Sequence, residues 1–384
     1  MPMVKLGEVA KEHKETCKGD KGDLPIVGLE HLIPEDINLT CWSDDKENTF
    51  TKMFRKGHVL FGRRRAYLKK AAVAPFDGIC SGDITVIEAI EDKLYPGLLP
   101  FIIQNDALFD FAVEKSAGSL SPRVKWQHLQ DYEFFLPEMA KQKELAELLW
   151  AIDRTKQAYK QLISATDELV KSQFIEMFGD PSCNSKGLRT IRLKECLERI
   201  DSGKSLNCEN FSRTGDMPAV LKLSAVTYGV YNALENKALP NVSMFIPELE
   251  VHSGDLLFSR KNTYEYVGMT AYVKTTPPNL MMPDLIFRLV PKDICKSKYL
   301  HILLNHDLFR PKVMGLAGGS TGSMPNISKQ RLLELEIPLP SLEQQDEFIV
   351  FFDQTDKSKY NGYRTIIGLI DLISFISNER SISQ

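Results

Sequence analysis

Four short stretches of this chain gather side chains suited to holding an anion or reading a base. The first is Phe61-Gly62-Arg63-Arg64-Arg65-Ala66-Tyr67-Leu68-Lys69-Lys70. Arginine forks match phosphate oxygens and the O6/N7 edge of guanine, and Gly62 lets a backbone come close. Arg63, Arg64, Arg65, Tyr67, Lys69 and Lys70 are therefore candidate DNA contacts. The second is Phe258-Ser259-Arg260-Lys261-Asn262-Thr263-Tyr264-Glu265-Tyr266, with fewer charges and more side chains able to read bases. Arg260, Lys261, Asn262 and Tyr264 are its candidates, Asn262 as a reader of adenine. The bland alternative for both is a polar strand end exposed to water. The third and fourth stretches run from Lys115 to Lys125 and from Gly318 to Lys329. Ser119, Ser121, Arg123 and Lys125 in one, and Ser320, Thr321, Ser323, Asn326 and Lys329 in the other, offer donors to phosphate oxygens. A turn that only positions the following helix would look the same.

Catalytic readings fit less well. Asp83 with Glu91-Asp92-Lys93 mimics a nuclease carboxylate set. The residues between them read as one strand, which would hold the acids roughly 25 Å apart, too far to share an ion. His301 and His306 lie five apart, off a common helical face, and read as surface or satisfied histidines. The Gly-rich segment lacks the Gly-Lys-Ser/Thr of a phosphate loop, and neither a dinucleotide fingerprint nor a nucleophile elbow is present. The seven cysteines are scattered without a CxxC pair, as in a reduced protein with no zinc site. No catalytic residue, metal ligand or cofactor site is expected.

The net charge of −3, taken as a sum, opposes a polyanionic partner. DNA, however, meets local charge. Residues 51–76 hold eight Lys or Arg and no acid, and residues 308–333 are also acid-free. No apolar run is long enough for a membrane span, and the first residues lack a secretory core, so a cytoplasmic location is expected.

The elements that must position these stretches come in two copies. Val4-Lys5-Leu6-Gly7-Glu8 returns as Ile191-Arg192-Leu193-Lys194-Glu195, and Gly57–Arg63 returns as Gly254–Arg260. Ser119–Val124 returns as Gly322–Ile327, and Phe134–Pro137 as Ile337–Pro340, with the order kept. Each copy begins with a mixed region of short strands punctuated by Gly, Pro and Asp. A proline closes the region and a long helical stretch follows. In the first stretch Leu145, Leu148, Ile152, Thr155, Tyr159, Leu162, Thr166 and Leu169 alternate steps of three and four. In the second, Ile349, Phe352, Asp356, Lys359, Tyr363, Ile366, Ile370 and Ile373 do so. Steps averaging 3.5 residues make a left-handed coiled-coil seam. Gly362 and Gly368 weaken the second by about 1 kcal/mol each. Residues 138–178 would span roughly 60 Å as a helix, more than one such domain can cover.

The expected fold is α+β. Two similar α/β domains in tandem are each followed by a long helix, and the helices pair as an antiparallel coiled coil with pseudo-two-fold symmetry. The expected boundaries are 1–137 for the first domain, 138–180 for its helix, 188–340 for the second domain and 341–378 for its helix.

The pattern resembles the specificity subunit of type I restriction–modification systems. Val59–Lys70 with Phe76–Ile84 looks like one class of first target recognition domain, and Gly254–Arg260 looks like the same element in another class. Ile337-Pro338-Leu339-Pro340-Ser341-Leu342-Glu343-Gln344-Gln345 resembles the family's Pro-Leu-Pro and Glu-Gln opening of the spacer helix; the first copy has only Lys141-Gln142 there. The resemblance implies a non-catalytic subunit without cofactors. It implies that each domain reads half of a bipartite double-stranded DNA target, and that methyltransferase (M) and restriction (R) subunits dock onto the chain. The competing readings are the recognition half of another restriction–methylation enzyme, or a scaffold that binds protein or RNA.

Overall fold

The computed structural model describes residues 2–45, 47–118, 120–318 and 324–378, and its fold is α+β. It divides into two compact units, Met1–Leu162 with Asn361–Gln384, and Ile163–Tyr360.

In the first unit a four-stranded antiparallel sheet runs in the order Ala10–Glu12, Ile84–Ala89, Val59–Gly62, Ala71–Val73. Val59-Leu60-Phe61 is a continuous apolar run because both faces of this sheet are covered. Side chains alternate across a strand. Val59 and Phe61 enter a core built with Leu99, Phe101 and Phe109, whereas Leu60 enters a second core with Phe54, Cys80 and Val86. A three-stranded sheet lies on that second side, with Gly78–Cys80 between parallel Ile26–Val27 and antiparallel Lys52–Phe54. Met3–Lys5 pairs with Glu133–Phe135.

The second unit repeats this plan. Its four-stranded sheet runs Leu197–Ser202, Ile286–Pro291, Leu256–Ser259, Thr270–Tyr272. Leu256 and Phe258 face one core and Leu257 the other. Arg189–Arg192 pairs with Glu336–Leu339. The three-stranded sheet differs. Its central strand is Ala219–Leu221, flanked by parallel Leu280–Met281 and antiparallel Asn236–Ala238.

Two long helices complete the units, Met139–Phe178 and Leu342–Asn378. The first contains neither Gly nor Pro and stops at Gly179, whose φ of +76° suits the left-handed residue that ends a helix. The second opens on a capping box. Ser341 Oγ accepts the Gln344 N–H at 3.3 Å, while Gln344 Oε1 accepts the Ser341 N–H at 3.1 Å. It then continues through Gly362 and Gly368 without a break; Gly362 is buried, so packing outweighs the propensity cost there.

The buried face of the first helix corrects the expected seam. Leu148, Leu162 and Leu169 are about half exposed, at 48%, 52% and 51%. The residues one step on, Leu149, Ile163 and Val170, are buried, and so is Lys156 with its ion-pair partner Asp153. Ile152 of the expected seam is buried, but so are Ala146, Leu149, Asp153, Lys156, Ile163 and Val170, among them a charged pair that apolar periodicity alone passes over. On the second helix Tyr363 and Ile370 are likewise exposed, while Ile366 is buried as the seam expects and Phe348, off it, is buried too. Within the second unit, Asp167 of the first helix accepts Lys359 of the second at 2.6 Å, and Phe174 and Phe178 both pack edge-to-face with Phe348.

Candidate nucleic-acid interface

In each unit the charged run is the connection of a β-hairpin. Residues 63–70 join Val59–Gly62 to Ala71–Val73, and residues 260–269 join Leu256–Ser259 to Thr270–Tyr272. The serine- and glycine-containing segment before the closing proline docks directly onto that connection. In the first unit, Val124 N–H donates to Arg63 O at 3.0 Å, Arg65 N–H to Pro122 O at 2.8 Å, and Arg64 bridges Arg123. In the second, Ile327 N–H donates to Arg260 O at 2.8 Å, Asn262 N–H to Pro325 O at 3.3 Å, and Lys261 bridges Asn326. Two stretches far apart in sequence thus form one surface, built the same way in both units.

The side chains differ between the units. In the first, Asp83 clamps the surface. Its carboxylate takes Arg123 at 2.7 and 3.2 Å and lies 3.5 Å from Arg64, whose Nε donates to Ser121 Oγ at 2.5 Å. The Arg123 guanidinium holds the Asp83 carboxyl below its ordinary range, and Asp83 in turn raises Arg123. Asp83 is thus a clamp for two arginines, a role its position immediately before the strand Ile84–Ala89 could have suggested. In the second unit the equivalent backbone acceptor, Leu285 O to Arg260 N–H, belongs to a residue with no charge, and Asn326 stands where Arg123 does. The carboxylate and its arginine are absent together.

The remaining candidates sort by what they touch. Arg65, Tyr67 and Lys125 are exposed, with Arg65 in the left-handed region at φ +55°. Lys69 is paired with Asp106 at 2.6 Å, and Lys70 donates to the Leu29 carbonyl at 2.7 Å. Arg63 and Arg260 each carry a buried Nε without a hydrogen-bond partner, and the Arg260 guanidinium lies over the Phe287 ring at 5.2 Å. Lys329 lies over the same ring and donates to the Ile200 carbonyl at 2.6 Å. Tyr264 is exposed, but Asn262 is 5% exposed. The Asn262 amide donates to Thr227 and Ser259, and its oxygen accepts the Thr263 N–H. It holds the loop from beneath, in place of the base-reading role its residue type suggested. Ser119, Ser320, Thr321 and Ser323 lie outside the described residues.

Of the two histidines weighed as ligands, His301 is half-buried and His306 is buried. His301 Nδ1 meets the Thr270 hydroxyl at 3.0 Å, and burial pushes its pKa down to about 4. His306 is buried, with its ring against Phe174. Among the described residues, one set of potential metal ligands lies close together, His13, His58 and Glu88. His58 Nδ1 accepts the Arg55 N–H at 3.1 Å, so its Nε2 carries the ring proton and aims it at Glu88 at 3.4 Å. That leaves His58 no lone pair for an ion, and His13 lies between Glu88 and Glu15 at 3.3 and 3.1 Å in the same network.

Two glutamines that the sequence reading quoted only as part of the helix opening fix the helix starts. Gln142 and Gln345 are buried, at 2% and 0% exposure. Gln345 donates to the Ile294 and Pro340 carbonyls and accepts the Lys296 N–H. Gln142 does the same with Lys93, Pro137 and Tyr95. The matching signal is a glutamine five residues after each closing proline. The glutamine of Lys141-Gln142 therefore corresponds to Gln345, and Lys141 stands at the place of Gln344.

Residues 186–364 match the type I restriction modification DNA specificity domain. That stretch of the chain is similar to the DNA specificity domain of type I restriction–modification systems. Over 198 residues it is 31% identical to the EcoEI type I restriction enzyme specificity subunit of Escherichia coli. That alignment covers 49% of this chain, and the chain spans only 33% of that relative's length. Two solved structures share the fold. The type I restriction-modification S subunit from M. genitalium superposes with a TM-score of 0.60 at 12% identity, covering 98% of this chain and 95% of that one. A chain from a study of assembly and conformational transition of the type I R-M system superposes with a TM-score of 0.54 at 21% identity, covering 98% and 96%. Among the described residues, no helix is long and apolar enough to cross a membrane.

Proposed function

We propose that this chain is a non-catalytic recognition subunit of a type I restriction–modification complex and that it reads a bipartite target on double-stranded DNA. Each unit reads one half. The observation that carries this is the paired construction of the hairpin connection and the segment docked on it, Arg63–Arg65 with Arg123 in one unit and Arg260–Lys261 with Asn326 in the other. A surface built twice on the same backbone pattern, with different side chains, suits two half-sites of different sequence.

The recognition domains comprise residues 1–137 and 188–340, and the long helices are the spacer between the halves. The helices run antiparallel as a coiled coil that relates the domains by an approximate two-fold axis. Contacts inside the second unit support this direction, since Asp167 faces Lys359 while the later Phe174 faces the earlier Phe348. Methyltransferase subunits dock along the helices. The exposed Leu148 and Leu162, with Tyr363 and Ile367 of the second helix, offer apolar surface for them. Restriction subunits join through that assembly, the chemistry belongs to the partners, and the complex works in the cytoplasm.

Genomic methylation mapping tests the proposal. Cells carrying the cognate methyltransferase should show a split adenine-methylation motif only when this chain is present. Duplex binding should weaken steeply with salt, because Lys and Arg displace counterions. A motif that persists without the chain would overturn the assignment.

A further inference from the structure

The second unit displays a cluster that its basic residues do not explain. Tyr228 and Tyr266 form an edge-to-face pair with ring centroids 5.4 Å apart. Tyr228 is 70% exposed and Tyr264 is 62% exposed, and Glu265 is exposed between the two loop tyrosines. These side chains stand on two loops, one around residues 227–230 and one at residues 263–267.

Both loops are held firmly from below. The Asn262 amide donates to Thr227 Oγ1 at 3.1 Å and so ties one loop to the other. Arg310, buried at 8% exposure, donates to the Glu265 and Val267 carbonyls at 3.1 and 2.8 Å. Gly268, at φ +80°, closes the turn where a side chain would meet Val313 and Ile327. Burying a guanidinium to order an exposed loop is costly in the free chain. The return comes when a ligand meets side chains that are already in place.

The loop's charge narrows the ligand contact. Thr263-Tyr264-Glu265-Tyr266 has one carboxylate and no cation, so it is a poor fit for phosphates. A carboxylate instead accepts from the cytosine amino group, and tyrosine rings pack on thymine methyls or base faces. We infer that Tyr228, Glu265 and Tyr266 are specificity-determining residues that touch base edges in the half-site of the second unit. The first unit has no counterpart to this carboxylate in Arg63–Lys70 and relies on its arginine clamp. The inference rests on the DNA-reading function proposed above.

The test uses the full chain and a duplex library randomised in both half-sites. The wild-type chain first defines its preferred target and the slope of affinity against salt. Tyr228→Ala, Tyr266→Ala and Glu265→Gln are then measured on the same library. Tyr228 and Glu265 are exposed, and the half-buried Tyr266 is outside the apolar cores of the unit, so the variants should fold. The expected result is a tenfold or greater loss of discrimination, confined to one half-site, with the salt slope unchanged. Discrimination kept at both half-sites, or a slope reduced by about one per variant as for a lost phosphate contact, would overturn the inference while leaving DNA reading intact. A wild-type chain that shows no salt-dependent duplex binding would refute the underlying function, and this inference with it.

Discussion

Replacing Gln345 by methionine isolates the contribution of the buried glutamine that starts the second long helix. Methionine has nearly the same length and volume, so the change removes polar contacts with little change in packing. The wild-type amide serves three backbone groups, the Ile294 and Pro340 carbonyls at 3.1 and 3.0 Å and the Lys296 N–H at 2.9 Å. The site is closed to water. Leaving a buried backbone group unpaired costs about 1 kcal/mol or more, so the three together should cost about 3 kcal/mol. That is about a hundredfold change in the opening equilibrium. Native-state hydrogen exchange reads it directly. Amides around Lys296 and in the first turns of the second long helix should exchange about a hundredfold faster, while those of the first unit keep their rates. The neighbouring Gln344→Met is the control. It removes only an exposed capping contact and should cost about 1 kcal/mol or less. Equal effects of the two substitutions would refute the distinction between a buried strut and a surface cap. So would an effect that reached both units alike.

His301→Gln should flatten the acid response of the second unit. The folded pKa, about 4, lies below the ordinary 6.5, so the fold favours the neutral ring. Wild-type stability is therefore fully present above pH 6.5 and falls as the pH drops toward 4, by roughly 3 kcal/mol for a shift of this size; urea titrations across that range check it. Asp83 works at lower pH. Its carboxyl is depressed by Arg123, so the stability it adds is present above its ordinary 3.8 and lost as the pH falls through the lower folded value. Asp83→Asn should remove that acid limb in the first unit, cost about 1 kcal/mol at neutral pH, and blur discrimination at one half-site. Inserting one heptad after Leu162 together with one after Tyr360 should lengthen the tolerated gap between half-sites by about three base pairs, since seven helical residues rise about 10 Å. Selection from randomised duplexes would detect it, and an unaltered gap would count against the spacer role.

The repeated motifs were legible because each marks a backbone event that both units need. Gly57–Arg63 and Gly254–Arg260 enter the central strand and its hairpin, and the closing prolines precede the helix starts. The burial direction of the first helix was harder to read. Leu148, Leu162 and Leu169 look like core by residue type, yet the buried positions include Asp153 and Lys156, whose ion pair makes them compatible with burial. Apolar spacing cannot anticipate such a pair. The same limit applies to the binding surface. Arg64 and Arg123 could be chosen by charge, but their shared clamp on Asp83 depends on contacts across 19 and 40 residues. Asn262 and Arg310 have the residue types of base and phosphate readers. Their burial beneath the loop follows from tertiary packing, and no local pattern marks it.

The central claim, two separate readers on one chain, is tested most directly by Arg64→Ala. Arg64 sits on the exposed connection of the first unit and is held by Ser121 and Asp83. Measured against a duplex library varied in each half-site separately, the variant should lose affinity and discrimination for one half and keep those for the other. Equal loss at both halves would contradict the account.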